Sequence, residues 1–176
     1  MHADMHDCAE HDCAEVDDRT LSFVDYALPQ KLLRGEGSHV NPPIGDPVSD
    51  CALHLETSAD WGQSVTVTLE FYAADEARSE PGPGWVLDGE GIFPRRSGDP
   101  LYVLSDGTDG CFFDIDIPVG DHRFEAWVAG REQNQAAIDA WEAFRLTPEG
   151  QSIPWEEASK TVPAGIERWL IRLMSN

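Results

Sequence analysis

The stretch from Gly110 to Arg131 limits what this chain can fold into more than any other; it reads G-C-F-F-D-I-D-I-P-V-G-D-H-R-F-E-A-W-V-A-G-R. Cys111, Phe113, Ile115 and Ile117 recur at every second position against Asp114 and Asp116, the pattern of a half-buried strand. Pro118-Val119-Gly120-Asp121 interrupts it, and Phe124, Ala126 and Val128 then alternate with Arg123, Glu125 and Trp127. The spacing predicts a hairpin at the centre of an antiparallel sheet. Its core face would carry Cys111, Phe113, Ile115, Ile117, Phe124 and Val128. Asp114, Asp116, Glu125 and Trp127 would share the other face.

The rest of the chain is punctuated in the same manner. Leu21 to Tyr26, Ala52 to Thr57, Ser64 to Ala73 and Leu101 to Leu104 read as strands, and Ser64 to Ala73 alternates most cleanly. Gly and Pro crowd Lys31 to Pro47, which predicts a long loop. Asp60-Trp61-Gly62 reads as a connection, with Trp61 closing one end of the core. Trp85-Val86-Leu87 and Gly91-Ile92-Phe93 flank Asp88-Gly89, a dipeptide suited to a tight hairpin turn. Asp106-Gly107-Thr108-Asp109-Gly110 reads as another turn, since it lacks the regularly spaced oxygen ligands of a calcium loop. Beyond Arg131 the period changes: Ala136, Ala137, Ala140, Trp141 and Phe144 predict an amphipathic helix over Gln133 to Leu146, its apolar stripe packed on the core. Pro154 to Lys160 adds a helical turn, and Ile166 to Met174 closes the chain as a strand. The expected fold is therefore all-β, a mostly antiparallel β-sandwich of about eight strands with one short helix before the last.

Charge bears on partners. The chain has 176 residues, 33 Asp plus Glu against 12 Lys plus Arg, and a formal net charge of -21. A surface so acidic repels nucleic acid and anionic membranes and steers cationic proteins toward it. Adaptation to a salty cytoplasm selects the same surface, so both readings of the acidity stand at this point. No apolar run is long enough to span a bilayer and the N-terminus has no apolar signal core, so the expected location is the cytoplasm.

Residues 1–20 carry seven acidic groups and one Arg, with the direct repeat H-D-C-A-E at His6 and His11. Such a composition cannot bury enough apolar surface to order itself, which predicts a disordered tail before a single β-sandwich domain over residues 21–176. The tail also gathers His6, Cys8, His11 and Cys13, soft ligands of the kind zinc and copper prefer. Their five-residue repeat does not match the paired spacing of a structural zinc site, so zinc bound there would be weak and no cofactor is expected.

Elsewhere, catalytic chemistry is thin. No strained nucleophile elbow or phosphate-cradling glycine loop occurs. His39, His54 and His122 are scattered, and carboxylates are too abundant for any pair to signal a glycosidase. A non-enzymatic binding protein follows, with Asp114, Asp116, Glu125 and Trp127 as the partner-binding set: an acidic face with an aromatic anchor suits an Arg- or Lys-rich protein. The alternative is a metal- or small-ligand-binding β-sandwich domain.

Three segments carry a resemblance. F-V-D-Y at Phe23 to Tyr26, P-V-G-D-H-R-F-E-A-W-V-A-G-R-E from Pro118, and E-R-W-L-I-R-L-M at Glu167 to Met174 are similar to a group of bacterial β-sandwich proteins related to the ComJ-type nuclease inhibitors and to immunity or antitoxin proteins. The resemblance implies a protein without catalytic activity that neutralises a basic toxin or nuclease by covering its cleft with acidic side chains.

Overall fold

The computed structural model describes residues 7–16, 20–25, 48–49, 52–58, 63–74, 76–105, 110–113 and 115–175. These residues are mostly strands, with a few short helices gathered before the final strand. In chain order the strands are β1 (Asp7–Val16), β2 (Thr20–Asp25), β3 (Val48–Ser49), β4 (Ala52–Glu56), β5 (Gln63–Tyr72), β6 (Trp85–Arg95), β7 (Leu101–Ser105), β8 (Gly110–Phe113), β9 (Gly120–Ala129) and β10 (Arg168–Ser175). One sheet has the order β1-β5-β10-β9-β6 and the other β3-β4-β2-β7-β8. The first is mixed, because β10 runs parallel to β5 and antiparallel to β9. That parallel pairing requires a crossover between β5 and β10, and it lets the last strand close the middle of the sheet.

Alternation explains the core. Along β5, Val65, Val67 and Leu69 are buried and the residues between them are half-buried. Phe124, Ala126 and Val128 of β9 and Trp169, Ile171 and Leu173 of β10 lie on the same side and join them in one apolar cluster. Leu53, Leu55 and Leu101, from the second sheet, belong to that cluster too. In β10 the intervening Leu170, Arg172 and Met174 are also buried, so this central strand is covered on both faces.

Several expectations change. The segment around Asp114 and the segment around Glu125 do not form a hairpin. β8 pairs with β7 in the second sheet, whereas β9 pairs with β6 and β10 in the first. Period-two alternation specifies a strand and its buried face but not its neighbour; residues Ile115 to Val119, which contain Pro118, carry the chain from one sheet to the other. Ile115 and Ile117 of this connection remain buried. Asp88-Gly89 is not a turn either. β6 runs straight through it, with a register shift between Leu87 and Gly89 that leaves Asp88 as the extra residue of a bulge, a position Asp-Gly suits as well as it suits a turn. Ten strands occur among the described residues, not eight, and β1 lies within residues 1–20, where a disordered tail was expected: Asp7–Val16 pairs antiparallel with β5. The expected loop over residues 31–47, the connection at Asp60-Trp61-Gly62, residues 106–109, and His39 and Cys51 lie outside the described residues.

The helical segment begins at Gly130, whose φ of 80° and crowded position turn the chain off β9; a Cβ there would stand 2.2 Å from the Ile166 carbonyl oxygen. Helix α1 (Arg131–Arg145) follows, then α2 (Pro148–Ser152), α3 (Trp155–Ala158) and a 3₁₀ turn at Ser159–Thr161. Thr147 caps α2, its hydroxyl accepting from the Gly150 N–H at 3.1 Å. The expected apolar stripe of α1 does not enter the core. Asn134 and Ile138 are its buried residues, while Phe144 is 39% exposed and Trp141 packs edge-on against Trp155. A 3.6-residue period defines a face, and here the buried face is the one that can offer Asn134 to a polar junction.

Candidate binding face

The outer face of the first sheet is built by the residues that alternate with its core. Register places three rows across β6, β9 and β10: Leu87, Trp127 and Leu170; Glu90, Glu125 and Arg172; Ile92, Arg123 and Met174. The β10 members of each row are buried, and exposure rises toward β6, where Leu87 is 41% and Ile92 47% exposed.

On the β5 side the face is closed by polar bonds. Arg172 Nε donates to Glu70 Oε2 at 2.8 Å, its Nη1 donates to the Ser79 carbonyl at 2.9 Å, and its guanidinium lies 5.7 Å from the centre of the Tyr72 ring. The Tyr72 hydroxyl donates to the same Glu70 oxygen at 2.7 Å. Burial, and then the bond to Glu70 and its charge, push the Tyr72 pKa up to about 12. Arg78 reaches over from the segment after β5 to ion-pair with Glu125 at 3.0 Å and also donates to the Met174 sulfur.

The expected partner-binding residues are only partly brought together. Trp127 Nε1 donates to Glu125 Oε2 at 3.2 Å, and both side chains are half-buried on the outer face of β9. Asp116 is exposed, but on the connection between the sheets, where its charge acts on Arg95. Asp114 lies outside the described residues. Glu125 is thus a bonded carboxylate. The unpaired one is Glu90, directly across from it on β6 and without an ion pair or hydrogen bond among the described residues. Sequence alone does not single out Glu90, because reading Asp88-Gly89 as a turn removes it from the face.

Two buried polar junctions hold the ends of the sheets. Asp25, at the end of β2, accepts from the backbone N–H groups of Arg96 and Ser97 at 2.7 Å each and faces Arg95 Nη1 at 3.7 Å. Arg95 Nε donates to the Ile117 carbonyl at 2.9 Å. Burial lowers the Arg95 pKa, and the charges of Asp25, Asp99 and Asp116 oppose that shift. At the other end Glu167, fully buried, accepts from the Ser58 N–H at 2.8 Å, from the Ser58 hydroxyl and from Trp169 Nε1 at 3.0 Å. Asn134 Nδ2 donates to Ser58 Oγ at 3.0 Å, and Arg131 bonds Asp88 at 2.8 Å and the Glu56 carbonyl at 2.7 Å while lying 5.2 Å from the centre of the Trp169 ring. An open cleft of about 330 Å³ lies beside this junction, lined by Glu56, Ser58, Arg131 and Gln135 among others. With proton and lone pair both committed, Ser58 ties β4, α1 and β10 together.

His122, expected at a turn, is the third residue of β9 and is buried, with Nε2 2.7 Å from the Pro118 carbonyl oxygen and its ring edge-on to Phe71. Half-burial on β4 lowers the pKa of His54. Of the expected metal ligands, His6 lies outside the described residues; backbone register pairs Cys8 with Glu70, His11 with Val67 and Cys13 with Val65. Among the described residues there is no group of three or more His, Cys, Asp or Glu placed to hold a metal ion, and no helix long and apolar enough to cross a membrane.

No protein-family model matches this sequence, and no curated protein matches it either. Among solved structures, the chain is similar to ComJ from Bacillus subtilis, described as an inhibitor of the DNA-degrading activity of NucA, with a TM-score of 0.47 and 11% identity over 97% of this chain and 96% of that one. It is also similar to a protein described as crocagin biosynthetic gene J, with a TM-score of 0.40 and 9% identity over 95% of this chain and 97% of that one. These are likenesses of backbone path, and at such identities and scores they assign neither protein's role to this chain.

Proposed function

We propose that this is a non-enzymatic, acidic binding protein that neutralises a basic protein partner in the manner of an immunity protein or antitoxin, with a nuclease as the favoured partner, acting in the cytoplasm. The observation that carries the proposal is where the charge resides. Against a formal net charge of -21, just two carboxylates, Asp25 and Glu167, are buried among the described residues. The other carboxylates among the described residues reach the surface, where acidic charge steers a cationic protein and raises its association rate. Asp116, with Asp114 beside it in sequence, together with Glu125 and Trp127, supplies the contacts, Trp127 serving as the aromatic anchor. In this reading the two sheets, with β1 of residues 1–20 as an edge strand of the first, stack as a single β-sandwich domain that provides a rigid platform.

Capture from an extract of the native host tests it. The immobilised protein retains a basic protein at low salt, releases it as salt rises, and suppresses its nuclease activity when added back. Retention of no basic protein, together with no inhibition of candidate nucleases, would sink the proposal. Charge reversal by D114K/D116K abolishes capture and leaves the fold intact.

A further inference from the structure

β6 is the edge of the first sheet: β9 is its one paired neighbour among the described residues. It is eleven residues long, with a bulge at Asp88 and Pro94 near its far end, two devices that blunt an edge. Between them Gly89 to Ile92 runs without interruption, and half of its N–H and C=O groups point away from β9. The side chains along this edge form a pattern. Leu87 and Ile92 are exposed apolar residues on the outer face, and Glu90 lies between them on the same face. Glu90 is directly opposite Glu125, and like charges in that relation are unfavourable. Arg78 compensates Glu125. Neither Arg78 nor Arg123, which lies opposite Ile92, forms an ion pair with Glu90. Gly89 leaves its side of the edge open, since a Cβ there would meet nothing within 4 Å.

We propose that the partner enters as an extended segment that pairs with the β6 edge, with an Arg or Lys opposite Glu90 and apolar side chains opposite Leu87 and Ile92. The inference rests on the basic-partner reading above and specifies how that partner docks. Strand addition pairs the outward backbone groups of Gly89 to Ile92 and gives affinity, while alternate side chains give specificity. Because the bulge absorbs Asp88, the positions opposite Leu87, Glu90 and Ile92 are every second residue of an unbulged incoming strand, an apolar-x-basic-x-apolar pattern. A second copy of this chain does not fit. It would bring Glu90 against a body that carries the same charge of -21 and offers no excess of Arg or Lys.

The probe is a labelled, end-blocked peptide, Thr-Val-Thr-Arg-Thr-Val-Thr, followed by fluorescence anisotropy at low salt. Two further versions carry N-methyl groups on alternate residues, one version for each edge of the peptide. The unmodified peptide binds the wild-type protein, binds Glu90→Lys at least about tenfold more weakly, and slows amide exchange in Gly89 to Ile92; one of the N-methylated versions loses binding. Equal binding by Glu90→Lys, or by both N-methylated peptides, overturns docking at the edge but leaves the basic-partner reading intact, because the peptide is then held by charge elsewhere. Failure of the unmodified peptide to bind, when a basic protein is still captured from the extract, overturns the edge alone. Failure of both peptide and capture overturns the edge together with the reading beneath it.

Discussion

Replacing Glu167 tests the junction on which the first sheet, α1 and the end of β4 depend. The carboxylate is fully buried and accepts two backbone or indole N–H groups and one hydroxyl, with Arg131 Nε 3.9 Å away. In Glu167→Gln the amide oxygen can still serve Ser58, but the amide nitrogen then faces Trp169 Nε1, donor against donor at a site 3.0 Å apart. An unsatisfied buried donor costs about 1–3 kcal/mol. Glu167→Ala strands both the Ser58 and Trp169 N–H groups and leaves Arg131 with less compensation, which costs about 3–5 kcal/mol. Set against a total stability of roughly 5–15 kcal/mol, the alanine variant approaches unfolding. Urea denaturation followed by tryptophan fluorescence reads both: with a slope of about 2 kcal/mol/M the midpoint falls by roughly 1 M for Gln and 2 M for Ala. A second comparison isolates the cause. Trp169→Phe removes the indole donor, so it should cost about 1 kcal/mol less in the Gln background than in the wild-type protein. Midpoints for both single variants within about 0.5 kcal/mol of wild type would refute the junction as described.

Three further outcomes follow from other sites. Gly130→Ala should destabilise far more than Gly165→Ala, although both glycines have positive φ, because a Cβ at 130 meets the Ile166 carbonyl oxygen at 2.2 Å and one at 165 meets nothing; thermal melts should show about 1 kcal/mol for Gly165→Ala. Half-burial holds the His54 pKa below 6.5, so as pH falls through that value the unfolded chain takes up the proton first and stability declines; in His54→Gln the dependence of the urea midpoint on pH should be shallower in that window. Tyr72 has the opposite sense: its pKa is pushed from 10.0 to about 12, so the folded state keeps the proton longer and stability is lost as pH rises between those values, and an absorbance titration of Tyr72→Phe should lose a tyrosine that ionises near the upper value.

Which parts of this arrangement are legible in the sequence depends on range. Alternation over Ser64 to Ala73 and Ile166 to Met174 announces β5 and β10, because a strand's buried face is a local property. Their parallel pairing is not local and leaves no mark in either segment. The same holds for Gly110 to Arg131, where two good strand signals joined by a Pro-Gly segment suggest a hairpin; which sheet receives each strand is settled by the rest of the core. Asp88-Gly89 was ambiguous for a different reason, since bulges and tight turns favour the same residues. Charge was legible as a total, but not as a position. Glu125 and Trp127 come together as their spacing suggests, whereas Arg78, from a polar segment with no periodicity, decides that Glu125 is compensated and Glu90 is not. Glu167 gave no signal at all, because a buried carboxylate looks like any other until its three donors are in place.

The central claim, that surface acidity serves to hold a basic protein, is tested most directly by the salt dependence of association. With the protein recovered by capture as titrant, calorimetry across a rising salt series should show affinity falling steeply, and at low salt the reversal D114K/D116K should abolish binding and E90K weaken it while circular dichroism stays unchanged. Recovery of no basic protein, or of one whose affinity is indifferent both to salt and to these reversals, would contradict the account and leave the acidity to adaptation of the surface to salt.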